Sequence, residues 1–148
     1  MSKSNTFEND LLALIFNNTD IANIGDAGGL QNSAAAGDLY VALHTADPGE
    51  AGTAATSEAT YGSYDRVAVA RSGAGWTVAG NSATNAALVQ FPECTSGSET
   101  ITHVSITVGG TPTTADKILY SGALSASRSV SSGIQPQFAA SALTVTED

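Results

Sequence analysis

The sequence predicts an all-β fold, an antiparallel β-sandwich of jelly-roll type with one short N-terminal helix. Three observations predict it. Leu39, Val41 and Leu43 alternate with Tyr40, Ala42 and His44, the two-residue period of a pleated strand. Beyond Asp38 the chain breaks into short β-like runs separated by Gly, Ser, Asn and Pro, the punctuation of sandwiches and barrels. Before Asp38 there is one apolar stripe at helical spacing.

The helix is expected over Asn5–Asn17. Asn5 is the expected N-cap, and Glu8 three residues on completes a capping-box pattern. Phe7, Leu11, Leu14 and Ile15 form the stripe, widened by Leu12 and Phe16. A helix this short is not stable alone and must lie on something. Residues 20–38 are rich in Ala, Gly and Asn and read as a long connection, with one helical turn near Ile21–Ile24.

Strands are expected at 39–45, 66–71, 76–78, 87–91, 101–108, 117–121, 127–130 and 142–146. Pro136 places a further strand at 134–138 on an edge. Asp47-Pro48-Gly49 stops the first strand, because Pro lacks a donor and Gly tolerates positive φ. Residues 46–63 show no β period and read as a mobile or partner-ordered surface loop. With no internal repeat and no linker, residues 1–148 are expected to form one domain. An N-terminal arm and helix (1–38) would precede a β core (39–148).

Of the 148 residues, 42% are hydrophobic and only 13% charged. A surface so poor in charge has little protection against association, which suits a protein covered by neighbours. The net charge is −9, against nucleic acid and anionic membranes as partners. Arg66 and Arg71 flank one short strand but do not make a basic stripe. Cys94 is the single cysteine, which excludes an internal disulfide; it reads as an inert, partly buried residue. Residues 1–6 are polar, and the apolar run 11–16 is too short for a signal peptide or a membrane span. Synthesis in a cytoplasm is the expectation.

Catalytic, cofactor-binding and metal sites are expected to be absent. His44, Asp47, Glu50 and His103 are the metal-ligand candidates, but they lack zinc spacing and the alternating oxygens of a calcium loop. His44 is expected to pack or hydrogen-bond at the end of its strand, and His103 to be a cross-strand residue. No Gly-x-Ser-x-Gly elbow is present. Gly25-Asp-Ala-Gly-Gly29 lacks the Lys of a phosphate loop. Few aromatic residues are available to line a sugar cleft. Trp76 reads as a core anchor, with a subunit contact as the alternative.

The string Leu39-Tyr-Val-Ala-Leu-His-Thr-Ala-Asp-Pro-Gly-Glu50 resembles the hallmark of a small tailed-phage virion structural protein family. Tyr64-Asp-Arg-Val-Ala-Val69, Asn85-Ala-Ala-Leu-Val-Gln-Phe-Pro92 and Ile101-Thr-His-Val104 fit the same family. So do Ile118-Leu-Tyr-Ser-Gly-Ala-Leu124 and Phe138-Ala-Ala-Ser-Ala-Leu-Thr-Val145. Members are often labelled tail-fibre proteins, and their size and all-β character are also similar to capsid cement or decoration proteins. The resemblance implies no catalytic residues and no cofactor. It implies a virion location, with the major capsid protein and copies of the chain itself as partners.

Shortness and the absence of repeats or heptads favour a cement protein on the capsid surface, acting as a homo-oligomer. A tail, tail-fibre or baseplate role is the alternative. The expected contact regions are the arm Met1–Thr6, the helix face with Phe7 and Leu11, and the loop 46–63.

Overall fold

The computed structural model describes residues 2–148. Met1, part of the expected contact arm, lies outside the described residues. The elements in chain order are α1 (Asn5–Asn17), β1 (Asp38–His44), β2 (Val67–Ala70), β3 (Trp76–Ala79), β4 (Ser82–Asn85), β5 (Val89–Gln90), β6 (Ser98–Thr107), β7 (Ile118–Ser131), β8 (Gln137–Phe138) and β9 (Thr144–Thr146). The fold is all-β and sandwich-like, with antiparallel sheets and, among the described residues, one short helix. The chain gathers into two compact units.

The first unit combines the chain up to Asp38 with Val69–Leu88 and Phe138–Asp148. Here α1 packs on the sheet β3-β4-β9. Helix bounds agree with the sequence pattern, but the cap does not. Ser4 is the N-cap: its backbone is extended and its Oγ accepts from the Phe7 N–H at 3.3 Å. Asn5 already has helical backbone, so Glu8, four residues after Ser4, is one position too far along to close a box with that cap.

The buried seam of α1 is also displaced. It runs Glu8–Leu12–Phe16, a strict four-residue ladder, while Leu11, Leu14 and Ile15 are only partly covered. The reason is Trp76, fully buried, whose ring meets Phe16 edge-on at 4.8 Å. That contact sets the helix rotation. Arg71 completes the helix end. Its guanidinium donates to the carbonyls of Leu14 and Ile15, placing a cation where α1 has no basic residue of its own.

Two further departures come from turns. Residues 21–24 are not helical. Ile21 and Leu30 instead pair as a bridge, with Asp26 Oδ1 accepting from the N–H groups of Gly28 and Gly29 inside the loop. An Asp side chain bonding its own downstream backbone outcompetes a single helical turn. Strand β4 has no β-branched run and was not expected as a strand. It forms because Gly80-Asn81 makes a two-residue hairpin, pairing Ala79 with Ser82, and β9 closes its other side. Buried Asn85 ends β4, accepting from the Leu143 N–H and donating to the carbonyls of Ala87 and Ala139.

The second unit comprises Leu39–Ala68 and Val89–Gln137. Strands β1, β6 and β7 lie in it, within a four-stranded sheet of order β2-β1-β6-β7. The β1–β6 register sets Val41 opposite Ile106 and His44 opposite His103. Val41, Leu43, Phe91, Ile101 and Val130 are buried, and Tyr64 stacks on Phe91. The two runs expected at 117–121 and 127–130 are one strand, β7. It crosses a bulge: Ile101 pairs with Arg128, but His103 pairs with Ala123. Leu124–Ser127 therefore face Thr102 alone. Ser125, Ala126 and Ser127, small and weak strand formers, hide the continuity, because pairing with β6 on either side and not local propensity carries the strand through.

Candidate functional site

Strand β1 was expected to be covered on one face only. From Val41 to His44 every residue is buried. The cover comes from residues 46–63, which are not the mobile surface loop the composition suggests. Their backbone docks at the C-terminal end of β1: Thr45 N–H donates to Ser57 O, and Ala59 N–H donates to Leu43 O, both at 2.8 Å. Ala54, Glu58, Ala59 and Tyr61 are buried. The loop has no β period because only about three of its residues act as a strand.

What clamps this segment is Arg66. All five guanidinium N–H donors have acceptors. Nε and Nη2 grip the two oxygens of Glu58 at 2.7 and 2.9 Å. Nη1 donates to Asp116 Oδ2 and the Gly109 carbonyl, and Nη2 also to the Thr114 carbonyl. The side chains of Arg66 and Glu58 are 0% and 1% exposed. Glu58 also accepts from Tyr64 Oη and the Thr113 N–H. Burial works against the Arg66 charge, yet the bonds to Glu58 and Asp116 hold its pKa above the ordinary value. Gly109 fits because a Cβ there would collide with the Asp116 carboxylate.

Tyrosines complete the cluster. Tyr64 Oη accepts from the Leu43 N–H at 3.0 Å while donating to Glu58. Its pKa is raised, first by burial, so the hydroxyl keeps its proton and remains a donor. Tyr61 donates to the Pro92 carbonyl, and burial pushes its pKa up to about 12.

His44 sits beside this hub. Its Nδ1 lies 2.9 Å from the Thr56 carbonyl and its Nε2 2.8 Å from Ser105 Oγ. A carbonyl can only accept, so Nδ1 carries the proton and Nε2 accepts from the serine hydroxyl. The alignment is that of a nucleophile–base pair, but Ser105 is 1% exposed and His44 is fully buried. In this setting the pair braces β1 against β6 and anchors the 46–63 segment.

Burial lowers the His44 pKa below the ordinary 6.5, with the Thr56 carbonyl and Glu58 opposing and Arg66 and His103 assisting. The unfolded chain therefore binds this proton more readily than the folded one. Stability is full above pH 6.5 and falls as pH drops through the window toward the lower folded value. Urea midpoints taken from neutral pH down to about pH 5 should show this loss in the native chain and a flatter profile in His44→Asn. Parallel profiles would remove His44 as the cause.

The remaining candidates are dispersed. Asp47 is exposed, and its Oδ1 accepts from the Gly49 N–H in a turn. Glu50 is exposed, and His103 Nδ1 lies 2.9 Å from Thr102 Oγ1. Among the described residues no three of His, Cys, Asp or Glu gather as a metal-binding group. Cys94 is fully buried with its thiol on the Ser96 carbonyl. Of the expected contact regions, Phe7 is 37% exposed, whereas Lys3 of the arm is tied to Glu147. Sequence reading missed the Arg66 hub altogether. The only local hint was an Arg beside a strand in a chain with so few charges.

No curated protein matches this chain. A family model described as Podophage GP4 fiber I protein gp80 matches residues 2–146, nearly the full length. The chain belongs to the podophage GP4 fiber I protein family, the gp80 family of phage virion proteins.

Proposed function

We propose that this chain is a passive building block of a virion fibre, acting through the faces it offers to copies of itself and to other virion proteins. The family match over residues 2–146 carries the reading. The chain's buried polar cluster supports it, since Arg66, Glu58, His44 and Ser105 bond to one another and to backbone out of solvent. In this reading the chain has no catalytic activity, and neither nucleic acid nor a membrane is a partner. Among the described residues no helix is long and apolar enough to cross a membrane. A chain of 148 residues without repeats or heptads builds no long shaft alone. A fibre would need many copies or additional proteins.

A second reading, a cement or decoration protein on the capsid surface bound to the major capsid protein, is favoured by the same shortness and by the 13% charge content. Symmetry would then multiply a weak contact into avidity. Quantitative mass spectrometry of purified particles separates the two. A copy number in small multiples of three or six is expected for the fibre. A ratio near one to the major capsid protein would replace it with cement, and absence from the particle would overturn both.

A further inference from the structure

Residues 46–57 are fastened to the sheet differently from the residues that follow them. From Glu58 on, the segment is held by the buried pair with Arg66 and by the Ala59 N–H on the Leu43 carbonyl. Glu99 on β6 adds a further hold, accepting from the Thr60 N–H. Before Glu58 only Pro48 and Ala54 are buried, so no large apolar side chain anchors this stretch. It is tied down by the Thr45 N–H on the Ser57 carbonyl, the Ala54 N–H on the Asp116 carbonyl and His44 Nδ1 on the Thr56 carbonyl. Ser57, where the two parts meet, has a left-handed backbone at φ 52° without being glycine, a conformation side chains adopt at a cost.

We propose that residues 46–57 are an acid-operated strap: a second proton on His44 lifts them off the sheet while Glu58–Tyr61 stay clamped. Nδ1 already spends its proton on Thr56, so an incoming proton must go to Nε2, the atom that accepts from Ser105 Oγ. The serine hydroxyl must then turn its own proton away, at a site only 1% exposed, and the imidazolium itself is fully buried. The surrounding groups divide. Glu58 favours the charge, while Arg66 and His103, opposite His44 on β6, oppose it. The Glu58 carboxylate is already taken by Arg66, Tyr64 and the Thr113 N–H, and Asp116 by Arg66. Tyr64 stays neutral, and Asp47 and Glu50 of the strap are exposed. Burial is the largest influence and works against the charge, so His44 gains its proton more readily once water reaches it. Lifting residues 46–57 admits water without disturbing the Arg66 hub. Each pH unit below the ordinary 6.5 therefore multiplies the open population by up to about 10, until the lower closed-state value is reached. Opening uncovers the face of β1 and β6 that carries His44 and Ser105, so the surface offered to neighbours changes with pH.

Amide hydrogen exchange on the purified full chain tests this, read as protection relative to the unstructured rate at each pH. The Thr45 and Ala54 amides should lose about 10-fold in protection between neutral pH and about pH 5. Their exchange should be insensitive to low urea, the mark of a local opening. The Leu43 and Ala59 amides should stay better protected in acid and respond to urea with the rest of the sheet. His44→Asn should abolish the acid response at Thr45 and Ala54. Exchange there that requires unfolding of the whole sheet, protection indifferent to pH, or an acid response that survives in His44→Asn would each overturn the strap. The first two are read on the native chain and hold whether or not the variant folds. None of these outcomes bears on the virion reading, which the composition of the particle decides.

Discussion

Replacing Arg66 with Ala should lower the unfolding free energy by about 3–5 kcal/mol, because it leaves Glu58 as a buried charge without its partner. Urea denaturation should show an earlier midpoint with an unchanged slope. The loss comes less from the Coulomb attraction than from what remains. Glu58 keeps only Tyr64 and the Thr113 N–H, and the Gly109 and Thr114 carbonyls lose their donor. Arg66→Lys should rescue little, since an ammonium has three donors and cannot span the Glu58 fork while reaching Asp116. The double variant Glu58→Ala/Arg66→Ala should cost clearly less than the two single losses added together. Additive losses would mean that the two side chains do not act as a pair.

The second large effect is expected at Trp76. Truncation to Ala should cost about 3–5 kcal/mol, as it empties the space that Phe16 packs against. Phe16→Ala should cost a similar amount, and the two should couple by roughly 0.5–1.5 kcal/mol beyond area. Trp76→Phe should cost much less than Trp76→Ala. The indole N–H meets no protein acceptor among the described residues, so no hydrogen bond is lost with it. The mechanical consequence is release of α1, which would show as helix loss in far-UV circular dichroism before the sheets melt. A Trp76→Ala protein of native stability would mean that α1 is held by something else.

These two sites sit differently with respect to what a linear reading can reach. Trp76 was legible: a large aromatic after a Gly-rich turn, with an amphipathic helix in need of a surface, points to a core anchor. The face of α1 that meets it was not. The apolar stripe is wide enough to allow several rotations, and only the Trp76–Phe16 contact selects the Glu8–Leu12–Phe16 line. Arg66 was not legible at all. Its partners lie 8 and 50 residues away, and no short-range pattern marks a pairing made across two loops.

Local chemistry was sufficient for β1, for the helix limits, for the breaks at Asp47-Pro48-Gly49, and for His44 as a hydrogen-bonding strand residue. These depend on alternation, helical periodicity and turn propensity within a few neighbours, which the order of residues states directly. The same short-range rules failed at residues 46–63 and across β7. A segment with no strand pattern is extended there because β1 or β6 offers it backbone partners. The burial of an ion pair and the choice of loop partner for β1 follow from where distant segments meet. That meeting is governed by packing and by satisfaction of backbone polar groups over the folded chain.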